Sequence, residues 1–163
     1  SIIERSTFAI ENDQLKTYDY NLIDTIRKKS RESGAVFNWD NSKITGYYKD
    51  REIDIPLEGK TLSRIVLQLQ IMHDQEKQIA STDYLILDKD ALKKITVFPE
   101  EFITETSVPF GKFQTIKISH QSENSERLNS LWLAPELNFI PIKISQSING
   151  KTSFEANLTQ LIF

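Results

Sequence analysis

An Asn149-Gly150 pair stands between two runs in which apolar and polar residues alternate, Ile140-Pro-Ile-Lys-Ile144 to Ile148 on one side and Phe154, Ala156 and Leu158 on the other. Both central residues of a type I′ turn need positive φ, which Asn and Gly tolerate, so the pair predicts a β-hairpin. The same grammar of short alternating segments and turn residues recurs along the chain. Ser6–Ile10 alternates, and Gly34 precedes Ala35-Val-Phe-Asn-Trp39. Trp39-Asp-Asn-Ser42 is a turn signal, because Asp, Asn and Ser side chains satisfy turn backbone groups. Ile44–Tyr48 and Glu52–Leu57 read as further strands. Short strands at close spacing favour an antiparallel meander. The count is about ten strands, with Pro99-Glu-Glu101 read as a break between two of them.

One segment departs from this pattern. Residues 61–78 contain neither Gly nor Pro, and Leu62, Ile65, Val66, Leu69, Met72 and His73 fall on one helical stripe. Thr61 is placed to cap the start. Leu67-Gln-Leu-Gln-Ile71 also alternates like a strand, but the longer stripe and the Met, Gln, Glu and Lys content favour helix. The expected fold is mainly β: an antiparallel meander forming a strongly bent or open barrel-like sheet, with one α-helix at about 61–78 packed against it. A length of 163 residues suits one domain, 1–163.

The prolines of Ser130-Leu-Trp-Leu-Ala-Pro-Glu-Leu-Asn-Phe-Ile-Pro-Ile-Lys-Ile144 sharpen the picture. Pro135 forces Ala134 into an extended conformation and ends a strand. Pro141 has no N–H to donate, so it needs a sheet edge, a bulge or an already open ladder. The two together predict a hairpin with a bent rim, Glu136 to Asn138 forming the connection.

Bulk properties narrow the functional classes. A net charge of −3 and an isoelectric point near 5.5 argue against a dedicated nucleic-acid binder. With no cysteine there is no disulfide, thiolate zinc site or thiol nucleophile. No apolar run approaches the ~20 residues of a membrane-spanning helix. The N-terminus, SIIERSTFAIEN, reads as strand and not as a signal peptide, so upstream residues are expected.

The residues that carry chemistry elsewhere form no constellation here. His73 and His120 stand on different predicted elements, and no motif joins them with carboxylates into a metal site. Asp83, Asp88 and Asp90 lack the glycine bend and remaining oxygens of a calcium loop. Neither a nucleophile elbow nor a paired Ser and Lys motif is present. The expectation is therefore no catalytic residues, no metal, no cofactor and no enzyme activity. Two surface readings stand. Arg27, Lys29 and Arg31 would share one face of a strand and could meet anionic headgroups or an acidic partner, although charge on a solvated face or edge strand is the commoner role. Phe37, Trp39 and Trp132, with helix residues Ile65, Leu69 and Met72, could line an apolar cavity, although aromatic residues mostly build cores.

Trp132-Leu-Ala-Pro-Glu-Leu137 followed by Phe139-Ile-Pro-Ile-Lys-Ile144 and Asn149-Gly150 resembles the C-terminal signature of an exported bacterial family, domain of unknown function 3108. Val108-Pro-Phe-Gly-Lys-Phe113 is similar to that family's Pro-x-Gly-x-Phe turn, and Glu4-Arg-Ser-Thr-Phe8 and the helical segment from Leu62-Ser63 also fit. Within the resemblance Trp132, Pro135, Pro141, Asn149 and Gly150 are structural motif residues, and no catalytic residues transfer. The resemblance implies a periplasmic, mostly antiparallel β protein. By fold-level analogy it suggests the open barrels that carry lipoproteins or sense lipids. Two functions follow as expectations: a binding module for an apolar or amphipathic, lipid-like ligand, or an envelope interaction protein acting through a surface patch or sheet edge.

Overall fold

The computed structural model describes residues 1–26 and 31–162. Among them the chain is mainly β, with twelve strands and one α-helix. It forms two compact units, one of Ser1–Ile71 with Tyr84–Lys93 and one of Met72–Asp83 with Lys94–Phe163.

The first unit is built on an antiparallel sheet in sequence order: β1 (Ile2–Glu11), β2 (Gln14–Asp24), β3 (Arg31–Asn38), β4 (Lys43–Tyr48) and β5 (Arg51–Pro56). Tight turns set the register. Asn12 and Asp13 both have positive φ and join β1 to β2 with Glu11 opposite Gln14. At the turn between β3 and β4, Asn38 Oδ1 accepts the Asn41 N–H at 3.0 Å, so the capping side chain stands just ahead of the expected Trp39–Ser42 segment. One face is apolar: Tyr20, Ala35, Phe37, Ile44 and Ile53 pack with Leu57 and Leu87. A short strand β6 (Thr61–Leu62) runs parallel to β7 (Asp83–Asp88), Leu62 opposite Ile86.

The helix α1 spans Arg64–Glu76, shorter than the expected 61–78. Thr61 is not its cap, because pairing with β7 holds Thr61 extended and its hydroxyl donates to Glu58 O. Ser63 caps instead: its carbonyl accepts the Leu67 N–H at 3.0 Å and its Oγ the Val66 N–H at 3.4 Å. At the other end Gln78 turns left-handed at φ 56°, and Ile79 N–H reaches back to Asp74 O at 2.8 Å. That is the six-to-one bond of a Schellman motif. The buried face is Val66, Leu67, Gln70, Ile71 and Asp74, whereas Ile65, Leu69, Met72 and His73 of the expected stripe are half-buried. The stripe was displaced because two polar residues, Gln70 and Asp74, belong to the buried face.

The second unit carries the antiparallel succession β8 (Ala91–Val108, from Lys94 onward), β9 (Gly111–Ser122), β10 (Arg127–Ala134), β11 (Ile140–Ile148) and β12 (Lys151–Asn157). Pro99-Glu-Glu101 does not break the chain. Pro99 pairs with Ile118 and Ile103 with Ile116, so Glu100, Glu101 and Phe102 oppose the single residue Lys117. The expected pair of strands is one bent strand with a bulge, which absorbs the proline without ending the ladder. Ala134 is extended at φ −95°, ψ 108°, and Pro135 opens a 3-10 turn, Pro135–Leu137, closed by left-handed Asn138. Pro141 sits beside a register shift, opposite Leu133, while Trp132 faces Lys143. Asn149 and Gly150 have φ of 50° and 74°, and the hairpin they join is paired from Ile148 and Lys151. Among the described residues β1 and β5 end one sheet and β12 and β6 the other, so neither closes into a barrel.

Candidate functional site

Four of the residues expected to line a cavity, Phe37, Trp39, Ile65 and Trp132, pack in hydrophobic clusters. In the first unit Phe37 is 2% exposed, and Trp39 and Ile65 pack against its cluster. The Trp39 indole N–H donates to Thr17 O at 2.7 Å, and Lys16 Nζ lies 5.3 Å from its ring centroid. Leu69 and Met72 are half-buried on α1. Trp132 belongs to a cluster of the second unit with Val108, Ala134 and Ile142. Of the basic cluster, Arg27 and Lys29 lie outside the described residues, and Arg31 opens β3 opposite Asp24.

The register gives Trp132 a further setting. It stands directly between Lys117 on β9 and Lys143 on β11, whose ammonium groups lie 5.4 and 4.9 Å from its ring centroid. Lys117 pairs with Glu100 of β8 at 2.6 Å and Lys143 with Glu155 of β12 at 3.0 Å. One row of alternating charge and aromatic ring thus links all five strands of the unit. Each cation is already matched by a carboxylate, so the row serves cohesion and leaves no spare charge for a ligand.

Sequence reasoning passed over Gln70. Its Oε1 accepts the Leu15 N–H at 2.7 Å and the Gln14 side-chain amide at 2.8 Å, and its Nε2 donates to Asp13 O at 3.2 Å. It fastens α1 to the β1–β2 turn. Its amide within a helical apolar stripe was the available signal.

Tyr20 is buried on the inner face of the first sheet, with its hydroxyl hydrogen-bonded to Glu4. Burial, reinforced by the Glu4 carboxylate, pushes its pKa up to about 12. The outer face of the same sheet has a hollow of about 270 Å³. It is bordered by Ile3, Arg5, Asn21, Ile23, Glu32 and Tyr47. Arg5, Asn21, Gly34 and Tyr47 face one another in register across four strands, and Asn21 and Tyr47, which border the hollow, close over the glycine between them.

The other exposed feature is on β8. Val97 N–H donates to Thr82 O at 2.8 Å, and beyond it Phe98–Ser107 has β9 on one side and no strand on the other among the described residues. Phe98, Phe102 and Ile103 on this stretch are 47%, 75% and 62% exposed. Among the described residues no group of three or more His, Cys, Asp or Glu could hold a metal ion, and no helix is long and apolar enough to cross a membrane.

Residues 1–158 match the family described as Protein of unknown function (DUF3108). This chain belongs to that family. The hairpin of Trp132, Pro135 and Pro141 is therefore the bent, bulged hairpin of a DUF3108 protein. No curated protein matches it. Among solved structures, the DUF3108 chain is similar to a crystal structure of a β-barrel-like protein of domain of unknown function DUF1849 from Brucella abortus, with TM-score 0.58 and 13% identity over 98% of this chain and 74% of that one. At that identity the likeness is one of fold.

Proposed function

We propose that this DUF3108 protein is a periplasmic interaction module that adds an extended segment of another envelope protein to the free edge of β8. The carrying observation is the stretch Phe98–Ser107, which pairs only with β9 among the described residues, with its exposed Phe98, Phe102 and Ile103. An open edge offers main-chain donors and acceptors to an incoming strand, and exposed apolar side chains beside it give that strand something to bury. Charge speaks for the kind of partner. Glu101 and Glu105 form no ion pair among the described residues, which suits a segment carrying Lys or Arg. Two copies aligned antiparallel about Ile103 would set Glu101 against Glu105, so like charges disfavour self-pairing.

A photo-crosslinking residue at position 102, in protein produced in its own cells, tests this. The expected result is a discrete adduct to an extended, basic segment of one periplasmic protein, lost in Ile103→Asp, with amides of 102–107 protected from exchange in the purified complex. No adduct, or an adduct indifferent to Ile103→Asp, overturns the reading. Recovery of the protein in the cytoplasmic fraction overturns the location.

A second reading, binding of an amphipathic ligand, is favoured by the hollow between Arg5 and Glu32, which combines isoleucine side chains with two charges. Native mass spectrometry of protein purified from its own envelope, followed by organic extraction, tests it through a reproducible bound lipid or a clean apo mass.

A further inference from the structure

We propose that the hollow bordered by Arg5 and Glu32 binds a zwitterionic phosphate–ammonium group of the phosphoethanolamine type. The inference rests on the ligand-binding reading and is independent of the β8 edge.

The argument begins with two unmatched charges. The Arg5 guanidinium and the Glu32 carboxylate border the same hollow, and neither makes a hydrogen bond or ion pair among the described residues. Arg5 is on β1 and Glu32 on β3, with β2 between them. Neighbouring strands are about 4.8 Å apart, so the two backbones stand about 10 Å apart across the sheet. Asn21 and Tyr47 floor the space between the two charges: a Cβ on Gly34 would lie 2.9 Å from Asn21 Oδ1 and 3.2 Å from the Tyr47 ring, so these two side chains cover the glycine and themselves line the hollow. Ile3 and Ile23, opposite each other in register, supply an apolar wall on the next row.

These groups select by charge. A simple anion gains at Arg5 what it loses at Glu32, and a simple cation does the reverse. A ligand that carries both signs gains at both ends. Guanidinium matches phosphate with two parallel hydrogen bonds. A primary ammonium has three donors for the Glu32 carboxylate and is also attracted by the Tyr47 ring face. A quaternary ammonium has no N–H to give Glu32. An α-amino acid holds its charges one carbon apart, too close to serve side chains rooted two strands apart. The methylenes of an ethanolamine and the carbons beyond a phosphate diester would lie against Ile3 and Ile23.

Vesicle flotation with the full chain tests the proposal, using phosphatidylcholine vesicles alone or with either phosphatidylethanolamine or phosphatidylglycerol. Arg5 and Glu32 are exposed, so Arg5→Gln and Glu32→Gln report on binding without disturbing the fold. Retention is expected on phosphatidylethanolamine at least about tenfold above the other two, with each variant losing about tenfold, the scale of one charge-assisted contact. Competition by free phosphoethanolamine would show that the headgroup alone suffices, and retention without competition would assign the lipid-borne form. Equal retention on phosphatidylglycerol, or a Glu32→Gln protein that binds as well as the parent, overturns the zwitterion while leaving a ligand site in place. Absence of binding to every vesicle and to phosphoethanolamine overturns both.

Discussion

Gly46 and Gly34 lie side by side in the first sheet and face opposite demands. A Cβ on Gly46 would stand 2.0 Å from Gly34 O and 2.8 Å from Ala35 Cα, and neither backbone atom can yield without moving β3. A Cβ on Gly34 meets first the side-chain amide of Asn21, which can swing away. Gly46→Ala is therefore expected to cost about 3 kcal/mol and Gly34→Ala under about 1 kcal/mol, measured by urea unfolding. Gln70→Leu keeps the helix but strips the Leu15 N–H and Asp13 O of their partner, for an expected loss of about 1–3 kcal/mol. Tyr20 adds a pH dependence. Its folded-state pKa of about 12 lies above the ordinary 10.0, so folding favours the protonated phenol. That contribution is complete below pH 10 and is lost as the pH rises toward 12. Stability should fall between pH 10 and 12 in the parent and less steeply in Tyr20→Phe, as read by urea midpoints across that range.

At the scale of elements, local chemistry was legible wherever the cause was local. Asn149-Gly150 specified its turn because the positive φ of both residues is a property of two neighbours. Replacing Gly150, at φ 74°, with Val is expected to cost about 1–2 kcal/mol, visible as a lowered thermal midpoint. Pro135 ended its strand for an equally local reason. Pro99 was misread because a bulge is defined by what lies opposite, and Lys117 is eighteen positions away in sequence. The helix start moved from Thr61 to Ser63 because a parallel pairing with β7, more than twenty residues downstream, claimed Thr61 first. Trp132 was recognisable as a motif residue, but its place between Lys117 and Lys143 appeared only with the register.

On the scale of the whole molecule the chain interleaves its two units: each is made of two separated segments. Neither can be cut out as a continuous piece, and we expect one cooperative unfolding transition, the behaviour of a single domain 1–163. The two tryptophans make this measurable, since Trp39 lies in the first unit and Trp132 in the second. Single-tryptophan variants Trp132→Phe and Trp39→Phe should give coincident denaturant midpoints by fluorescence once each variant's own change in stability is matched by circular dichroism. Midpoints that separate within one variant, fluorescence from dichroism, would show two independently unfolding bodies. The candidate surfaces were only partly legible at this scale. Arg31 and the aromatic residues drew notice by composition, whereas Arg5 figured only within the family-like segment Glu4–Phe8, and nothing in the local pattern marked Glu32 or Phe102.

The amino-acid sequence by itself determined the mainly antiparallel β character, the single helix, the tight turns and the bent hairpin of Trp132, Pro135 and Pro141, because periodicity, proline geometry and turn preferences act over a few neighbouring residues. Only the tertiary structure decided that Phe37 fills a core, that Gln70 ties α1 to a hairpin turn, that β8 is one bulged strand with an open edge, and that Arg5 and Glu32 border one hollow. Each of those facts depends on strand register, which joins residues tens of positions apart and is set by the burial of whole faces at once.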